Sequence, residues 1–417
     1  MKNIQLIKFI LIFVCGALSA QSNFRTVKPE KAGFSTERLA RIDTVINQYI
    51  QQGKVPNMVT FIARHGKVVH HKAYGWKNIE NKEPVQLNSI YRNASQTKAL
   101  TSVGLMKLYE KGLFLLDDPI SKYIPEFKNP HVLVSINEKD SSFSSRPAKT
   151  EITIRHLLSH TSGIPYGNKV FTKARIPGVN SLEPITIGEV VHKIAKLPLD
   201  HDPGEKFTYG LNTDVLGYLI EVLSGMPLDK YFQQELFEPL GMVDSYFYLP
   251  KDKENRLVTL YAQDSINSPL YRSPNIANQT YPYSGSKTYF SGGAGIVGTI
   301  DDYARFCTML LNKGKLNGKQ FLSPKTIELM TRNQIGENEV WQSGNKFGLG
   351  FELFTDKGLA KLPGSIGAFK WGGMYCTDYI IDPKEDLILL IYTNASPFAS
   401  GDINSKFRVL VYQALLK

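Results

Sequence analysis

Apolar residues first recur at helical spacing, with Leu39, Ile42, Val45, Ile46 and Ile50 following Ser35-Thr36-Glu37, whose serine can cap a helix start. The period then shortens. Residues 58–63 and 68–74 carry β-branched and aromatic side chains on either side of His65-Gly66, which predicts two strands joined in a hairpin. Helical spacing returns after Ser95, where Leu100, Val103, Leu105, Met106 and Leu108 make a mostly apolar face expected to end at Gly112.

Residues 116 to about 290 show few strand-like alternations and several helical ones, at 152–160, 187–195, 214–224 and 230–237. Two long irregular stretches, 137–150 and 264–288, interrupt them. The second is rich in Tyr, Pro, Ser and Asn and reads as a lid, a binding wall or a plain surface loop. From residue 292 the pattern predicts helices at 301–312 and 324–332, strands at 375–382 and 386–393, and a closing helix at 406–416. The amino-terminal hairpin and the late strands can complete one antiparallel sheet. The expected fold class is therefore α+β, with a sheet lobe from residues 30–115 plus 291–417 and a mainly helical lobe, 116–290, inserted between them.

Length supports two lobes, since single cores stop growing near roughly 250 to 300 residues and this chain has 417. Its 42% hydrophobic and 21% charged residues are those of an ordinary globular protein. Residues 1–20 differ: Lys2 and Lys8 flank or precede an apolar run at 9–14, and small residues follow at 17–20, as in a removable export signal. A periplasmic or secreted location is expected; lipidation at Cys15 fits poorly because Val14 precedes it. The formal charge of +11 includes Lys2 and Lys8. Acids are interleaved with bases throughout, as at 251–256, which argues against nucleic acid and suits an anionic cell envelope. Beyond the leader, Cys307 and Cys376 leave room for one disulfide and exclude a disulfide scaffold or a Cys-based zinc site. No later segment is apolar enough to span a membrane.

Ser95 and Lys98 stand three apart, so on a helix they share one face. A hydroxyl beside an amine suggests nucleophilic catalysis, provided the surroundings lower the lysine from its usual pKa of about 10.4. The same spacing at Ser284/Lys287 and Ser343/Lys346 falls among glycines and polar residues, where loops are expected. His156 and His160 have a metal-binding spacing but lack a glutamate and a third ligand. Gly293-x-Gly295-x-x-Gly298 lacks the βαβ context of a dinucleotide site. Asp117/Asp118 and Asp301/Asp302 sit at predicted helix starts, where they complement the dipole. Tyr209 follows the Pro203-Gly204 turn and precedes the helical run of Val215, Leu216, Leu219 and Ile220. As a phenolate it could be a base if a cation such as Lys98 lowered its pKa from about 10.

Ser95-x-x-Lys98, the segment from Ile154 to Gly163, Pro203-Gly204-x-x-Phe207-x-Tyr209 and Trp371-Gly372-Gly373 come in an order that resembles the serine β-lactamase and penicillin-binding protein superfamily. The branch most resembled holds class C β-lactamases, family VIII esterases and D-amino-acid peptidases, and the likeness runs from about residue 30 to the end. It implies an antiparallel sheet flanked by helices beside a helical lobe. It implies Ser95 as acylation nucleophile, Lys98 as its proton-transfer partner and Tyr209 as second base or acid. Oxyanion donors would be the backbone N–H of Ser95 and of Met374, or of Gly373 under a shifted alignment. Trp371, Gly372, Gly373 and Asn212 would bind substrate.

Two departures bear on the substrate. Leu211 stands two after Tyr209, where class C enzymes have asparagine, and Asn212 comes one place later; the stretch from Tyr209 to Gly217 looks more like the esterase branch. The usual Lys-Thr-Gly is replaced by Trp371-Gly372-Gly373 or, shifted, by Lys370-x-Gly372, and under the first alignment the cation that grips a substrate carboxylate is missing. The expected activity is a serine hydrolase acting on small esters, with β-lactam or D-peptide hydrolysis second and a binding protein without turnover third. No metal, cofactor, nucleic acid partner or transmembrane anchor is implied.

Overall fold

Strands β1 (Asn57–Arg64) and β2 (Lys67–Asn78) form the predicted hairpin, with His65 and Gly66 both at positive φ in the two-residue turn, as a type I′ connection requires. The computed structural model describes residues 24–137, 139–140 and 142–416, so the expected export signal lies outside it. Three late strands, β3 (Phe369–Gly373), β4 (Thr377–Asp382) and β5 (Leu387–Tyr392), pair in sequence, and β5 also pairs antiparallel with β1. The two ends of the chain thus share one eight-stranded sheet.

Helices cover both faces of that sheet, which is why β1 and β5 are buried along their whole length. Ile62, Leu389 and Ile391 face α1 (Arg41–Gln51) and α5 (Asp402–Tyr412). Phe61 and Leu390, one residue out of phase, belong with α4 (Ile300–Leu311) to the larger core on the other side. No helix among the described residues is long and apolar enough to cross a membrane.

Helix α2 (Thr97–Glu110) is buried at every position from Thr97 to Met106 and packs against α3 (Asn212–Ser224). Helix α2 lies within residues 30–115, the stretch expected in the sheet lobe, yet it packs into the helical body, and one continuous core joins Leu100 and Val103 to Leu216, Ile220, Phe61 and Trp371. The 116–290 stretch is also less purely helical than expected. Strands His131–Ile136 and Phe143–Pro147 form a hairpin across the supposed irregular stretch 137–150, and their largely exposed side chains explain why no alternation announced them. The 264–288 stretch holds a strand, Tyr271–Arg272, and a helix, Ile276–Ser284, capped by Asn275. Asp301 and Asp302 lie in the first turn of α4 behind the Thr299 cap. Asp117 instead pairs with Arg155 at 2.7 Å, and Asp118 accepts from Leu115 N–H and the Tyr123 hydroxyl. Cys307 and Cys376 are both free thiols.

Candidate active site

Ser95 sits in a tight 3₁₀ turn, Ala94–Gln96, that leads directly into α2. Ala94 enters it at φ 46°, a left-handed conformation that costs a non-glycine residue roughly 1–2 kcal/mol. Packing of its methyl with Leu260 and Tyr375 holds it there. Lys98 follows one turn later and is 2% exposed. Its ammonium donates to Ser95 Oγ at 3.3 Å, to the Tyr166 hydroxyl oxygen at 2.6 Å and to the Gly293 carbonyl at 2.7 Å.

Tyr209 arrives from the other side, after the Pro203-Gly204 turn, with the preceding Thr208 N–H bonded to the His160 carbonyl at 2.7 Å. Its ring lies 4.9 Å from His160, 5.1 Å from Tyr166 and 5.2 Å from Trp371. Trp371 Nε1–H donates to its hydroxyl at 3.3 Å, and that hydroxyl also meets the side chains of Ser95 and Lys98.

The electrostatics separate the two phenols. Burial pushes Tyr209 up, but the Lys98 charge and the hydrogen bonds from Ser95, Lys98 and Trp371 outweigh it, so its pKa lies below the ordinary phenol value. Tyr166 is held above that value because burial dominates there. Burial alone would lower Lys98; the neighbouring Tyr166 and Tyr209 oxygens reverse this and hold the amine cationic. The condition for Lys98 itself to act as a base, an amine below its usual pKa, is not met; Lys98 is instead the cation beside the Tyr209 phenol, 4.8 Å from its ring.

A second layer fixes these groups. Asp214, buried in α3, accepts from the Tyr289 hydroxyl at 3.0 Å, Ser291 Oγ at 2.7 Å and Gly293 N–H at 3.4 Å, and so clamps the segment whose carbonyl holds Lys98. A Cβ at Gly293 would lie 2.5 Å from Asp214 Oδ2 and 3.5 Å from Lys98 Nζ, which is why the position is glycine. The Gly293–Gly298 pattern serves close approach rather than a phosphate. Gly373 works similarly: a Cβ there would lie 2.3 Å from the Asn93 carbonyl, so only glycine lets β3 approach the nucleophile turn.

Asn212 does not line the substrate site. It is fully buried, bonded to Ser162 Oγ and to His160 Nδ1 at 2.9 Å, because one residue's displacement along α3 turns it inward against the 160–164 segment. His160 in turn backs Tyr209 and Phe207, and burial beside Lys98 keeps its imidazole well below the usual pKa, hence neutral. His156 caps its own helix through Thr153.

A cavity of about 350 Å³ opens over Ser95, lined by Tyr209, Trp341, Trp371, Gly372, Gly373 and Met374. Ser95 N–H lies in a helix first turn, where donors have no internal acceptor, and Met374 follows β3 at the cavity's edge. Along β3 side chains alternate, so Trp371 faces Tyr209 while Lys370, on the opposite face of the strand, pairs with Asp378 at 3.0 Å, a pair that also borders the cavity. Sequence reasoning missed Tyr166, Asp214's clamp, the Gly293 carbonyl and Trp341. Of these, Asp214 lies in the Tyr209–Gly217 stretch and Gly293 in the glycine pattern, whereas nothing local marks Tyr166 or Trp341.

Comparison with known proteins adds an independent line. The profile of the family described as Beta-lactamase matches residues 42–413. Esterase EstB of Burkholderia gladioli is 28% identical, aligned over 89% of this chain and 95% of its own. N-acetylmuramyl-L-alanine amidase of Bacillus subtilis is 27% identical over 89% of this chain and 84% of its own. Among solved structures, EstCE1, a hydrolase with promiscuous acyltransferase activity, superposes with a TM-score of 0.76 at 28% identity, covering 90% of this chain and 99% of that one.

Proposed function

We propose small carboxylic esters as the substrates of this chain, which belongs to the β-lactamase family and is a serine hydrolase. Tyr209, as phenolate, takes the proton of Ser95 Oγ as that oxygen attacks the ester carbonyl carbon. The carbonyl oxygen becomes an oxyanion held by the N–H groups of Ser95 and Met374, where one donor is worth about 10²- to 10³-fold in rate. Collapse of the tetrahedral species breaks the bond to the alcohol oxygen, which takes the proton back from Tyr209. Water then attacks the acyl-enzyme, giving a proton to Tyr209, and as the bond to Ser95 Oγ breaks that oxygen takes the proton back from Tyr209, which releases the acid and restores the serine hydroxyl and the phenolate. Lys98 remains cationic throughout and keeps Tyr209 poised.

The observation that carries the ester reading is the placement of Trp371 beside the nucleophile, with Lys370 at the cavity's border held by Asp378. A β-lactam or D-peptide presents a carboxylate, and a cation neutralised by its own aspartate offers that carboxylate little. The apolar leader at 1–20 supports placing the activity outside the cytoplasmic membrane. One comparative assay tests the substrate: a short-chain chromogenic ester, a chromogenic cephalosporin and D-amino-acid amides, with the wild type and Ser95→Ala. Ester turnover lost in Ser95→Ala is the expected outcome. A far higher kcat/KM on the cephalosporin or an amide overturns the ester reading.

A further inference from the structure

Trp341 is 62% exposed, yet it is no stray surface residue. Its indole stacks on Trp371 with centroids 5.3 Å apart and planes 26° from parallel, and stands edge-on to Tyr209 at 5.5 Å. It lines the same cavity as Ser95. Trp341 and the following Gln342 both hold positive φ, 46° and 60°, which a bulky residue adopts only when its surroundings impose it. Hydrogen bonds impose it here: Val340, fully buried, is tied to Asn345 by N–H to carbonyl at 3.0 Å, and Ser343 N–H returns to the Val340 carbonyl at 2.9 Å. The loop is closed beneath the indole and presents its free face to the cavity mouth.

We infer that Trp341, with Trp371 behind it, is the binding wall for the alcohol half of the ester and selects alcohols bearing a flat apolar or aryl group. The inference rests on the ester reading above. The alcohol oxygen departs at the Tyr209 hydroxyl, and Trp341 packs against the Tyr209 ring, so whatever is bonded to that oxygen meets the exposed indole. Stacking on an indole favours flat groups and asks for no charge. Met374, 60% exposed on the nucleophile side of the cavity, adds a flexible apolar surface but no ring.

The test varies one half of the substrate at a time. Ethyl acetate and benzyl acetate differ only in the alcohol and leave as alkoxides of similar basicity; ethyl acetate and ethyl phenylacetate differ only in the acyl group. For Trp341→Ala, kcat/KM on benzyl acetate is expected to fall at least tenfold relative to ethyl acetate, mostly through KM, while the phenylacetate-to-acetate ratio stays within twofold. Trp341→Phe should keep most of the benzyl preference. An equal loss on all esters, no loss, or a selective loss on phenylacetate overturns the assignment. A second readout needs no turnover: in Ser95→Ala, 4-nitrobenzyl alcohol should quench tryptophan fluorescence saturably, and adding Trp341→Ala should weaken its binding at least tenfold as read at Trp371. If no ester is hydrolysed but this difference holds, the ester reading falls and the aryl wall stands. Unchanged binding sinks the wall.

Discussion

Arg92 and Lys98 flank the nucleophile, and both cations are almost completely buried, at 1% and 2% exposure. Among the described residues neither has a carboxylate within ion-pairing distance. Arg92 is met by fixed acceptors only: the carbonyls of Asn278 at 3.0 Å, Val258 at 2.8 Å and Gln279, with Asn394 Oδ1 at 3.4 Å. Lys98 is met by one carbonyl and by hydroxyls that can exchange protons, with a cavity beyond them. The charge and the burial are the same, but the partners differ. A buried cation saturated by carbonyls can only hold the fold together, whereas one faced by phenol and serine hydroxyls is placed to bias where their protons sit.

Removing each charge with an isosteric apolar chain separates the two roles most sharply. Lys98→Met should lower kcat on a chromogenic ester by about 10³- to 10⁴-fold, the upper range for a positioned proton-transfer system. Its stability should fall less than that of Arg92→Met, because only one buried carbonyl, that of Gly293, loses its donor. Arg92→Met should do the reverse, leaving buried carbonyls unsatisfied at about 1–3 kcal/mol each before relaxation. Denaturant unfolding should show a loss of several kcal/mol, with the activity of the folded fraction kept within about tenfold, since Arg92 touches no reacting atom. A stable but inactive Arg92→Met would break the comparison.

Smaller effects sharpen it. Tyr209→Phe should cost about 10²- to 10⁴-fold in kcat as the base is lost, and Tyr166→Phe markedly less, because a neutral phenol only helps seat Lys98. Equal losses would make the two phenols a single unit. Asp214→Asn keeps the shape of the clamp on residues 289–293 but removes its charge; a fall of about tenfold, well short of the roughly 10²-fold that a misplacement of 1 Å can cost, is expected in kcat with KM unchanged.

The same contrast marks what the chain's pattern made legible. The β1–β2 hairpin and the late strands were readable because short β-branched and aromatic runs are bounded by turn residues, and α2 because its apolar run from Leu100 to Leu108 stops at Gly112, even though β1, β5 and α2 are buried on nearly every side. Ser95, Lys98, Tyr209 and Trp371 were readable because short motifs carry them. Arg92 and Tyr166 were not: each acts through partners more than sixty residues away, Val258 at 166 and Lys98 at 68, and nothing local announces such a meeting. Asn212 misled for the opposite reason, since a motif one residue out of register keeps its chemistry on paper and loses its direction on a helix.

The smallest predicted effect is also the most direct probe of the Lys98–Tyr209 pair. If Tyr209 acts as phenolate, kcat/KM rises with pH as it deprotonates, and Lys98 sets that limb below the ordinary phenol range of about 10. Lys98→Met should move the residual activity's limb upward, toward or beyond that range, because burial then acts unopposed. Tyr166→Phe should leave it nearly in place. Stability carries the matching sign. Between Tyr209's folded pKa and about 10 the unfolded chain holds the extra proton, so this group makes stability rise with pH across that window. Lys98, raised in the folded state, contributes stability that is full below its unfolded pKa of about 10.4 and is lost as pH climbs through the folded value. Urea unfolding of the wild type from pH 8 upward should therefore show a rise followed by a fall that Lys98→Met flattens, whereas in Arg92→Met the whole curve drops without changing shape. A wild-type curve already as flat as that of Lys98→Met would mean that the two groups are not charged together.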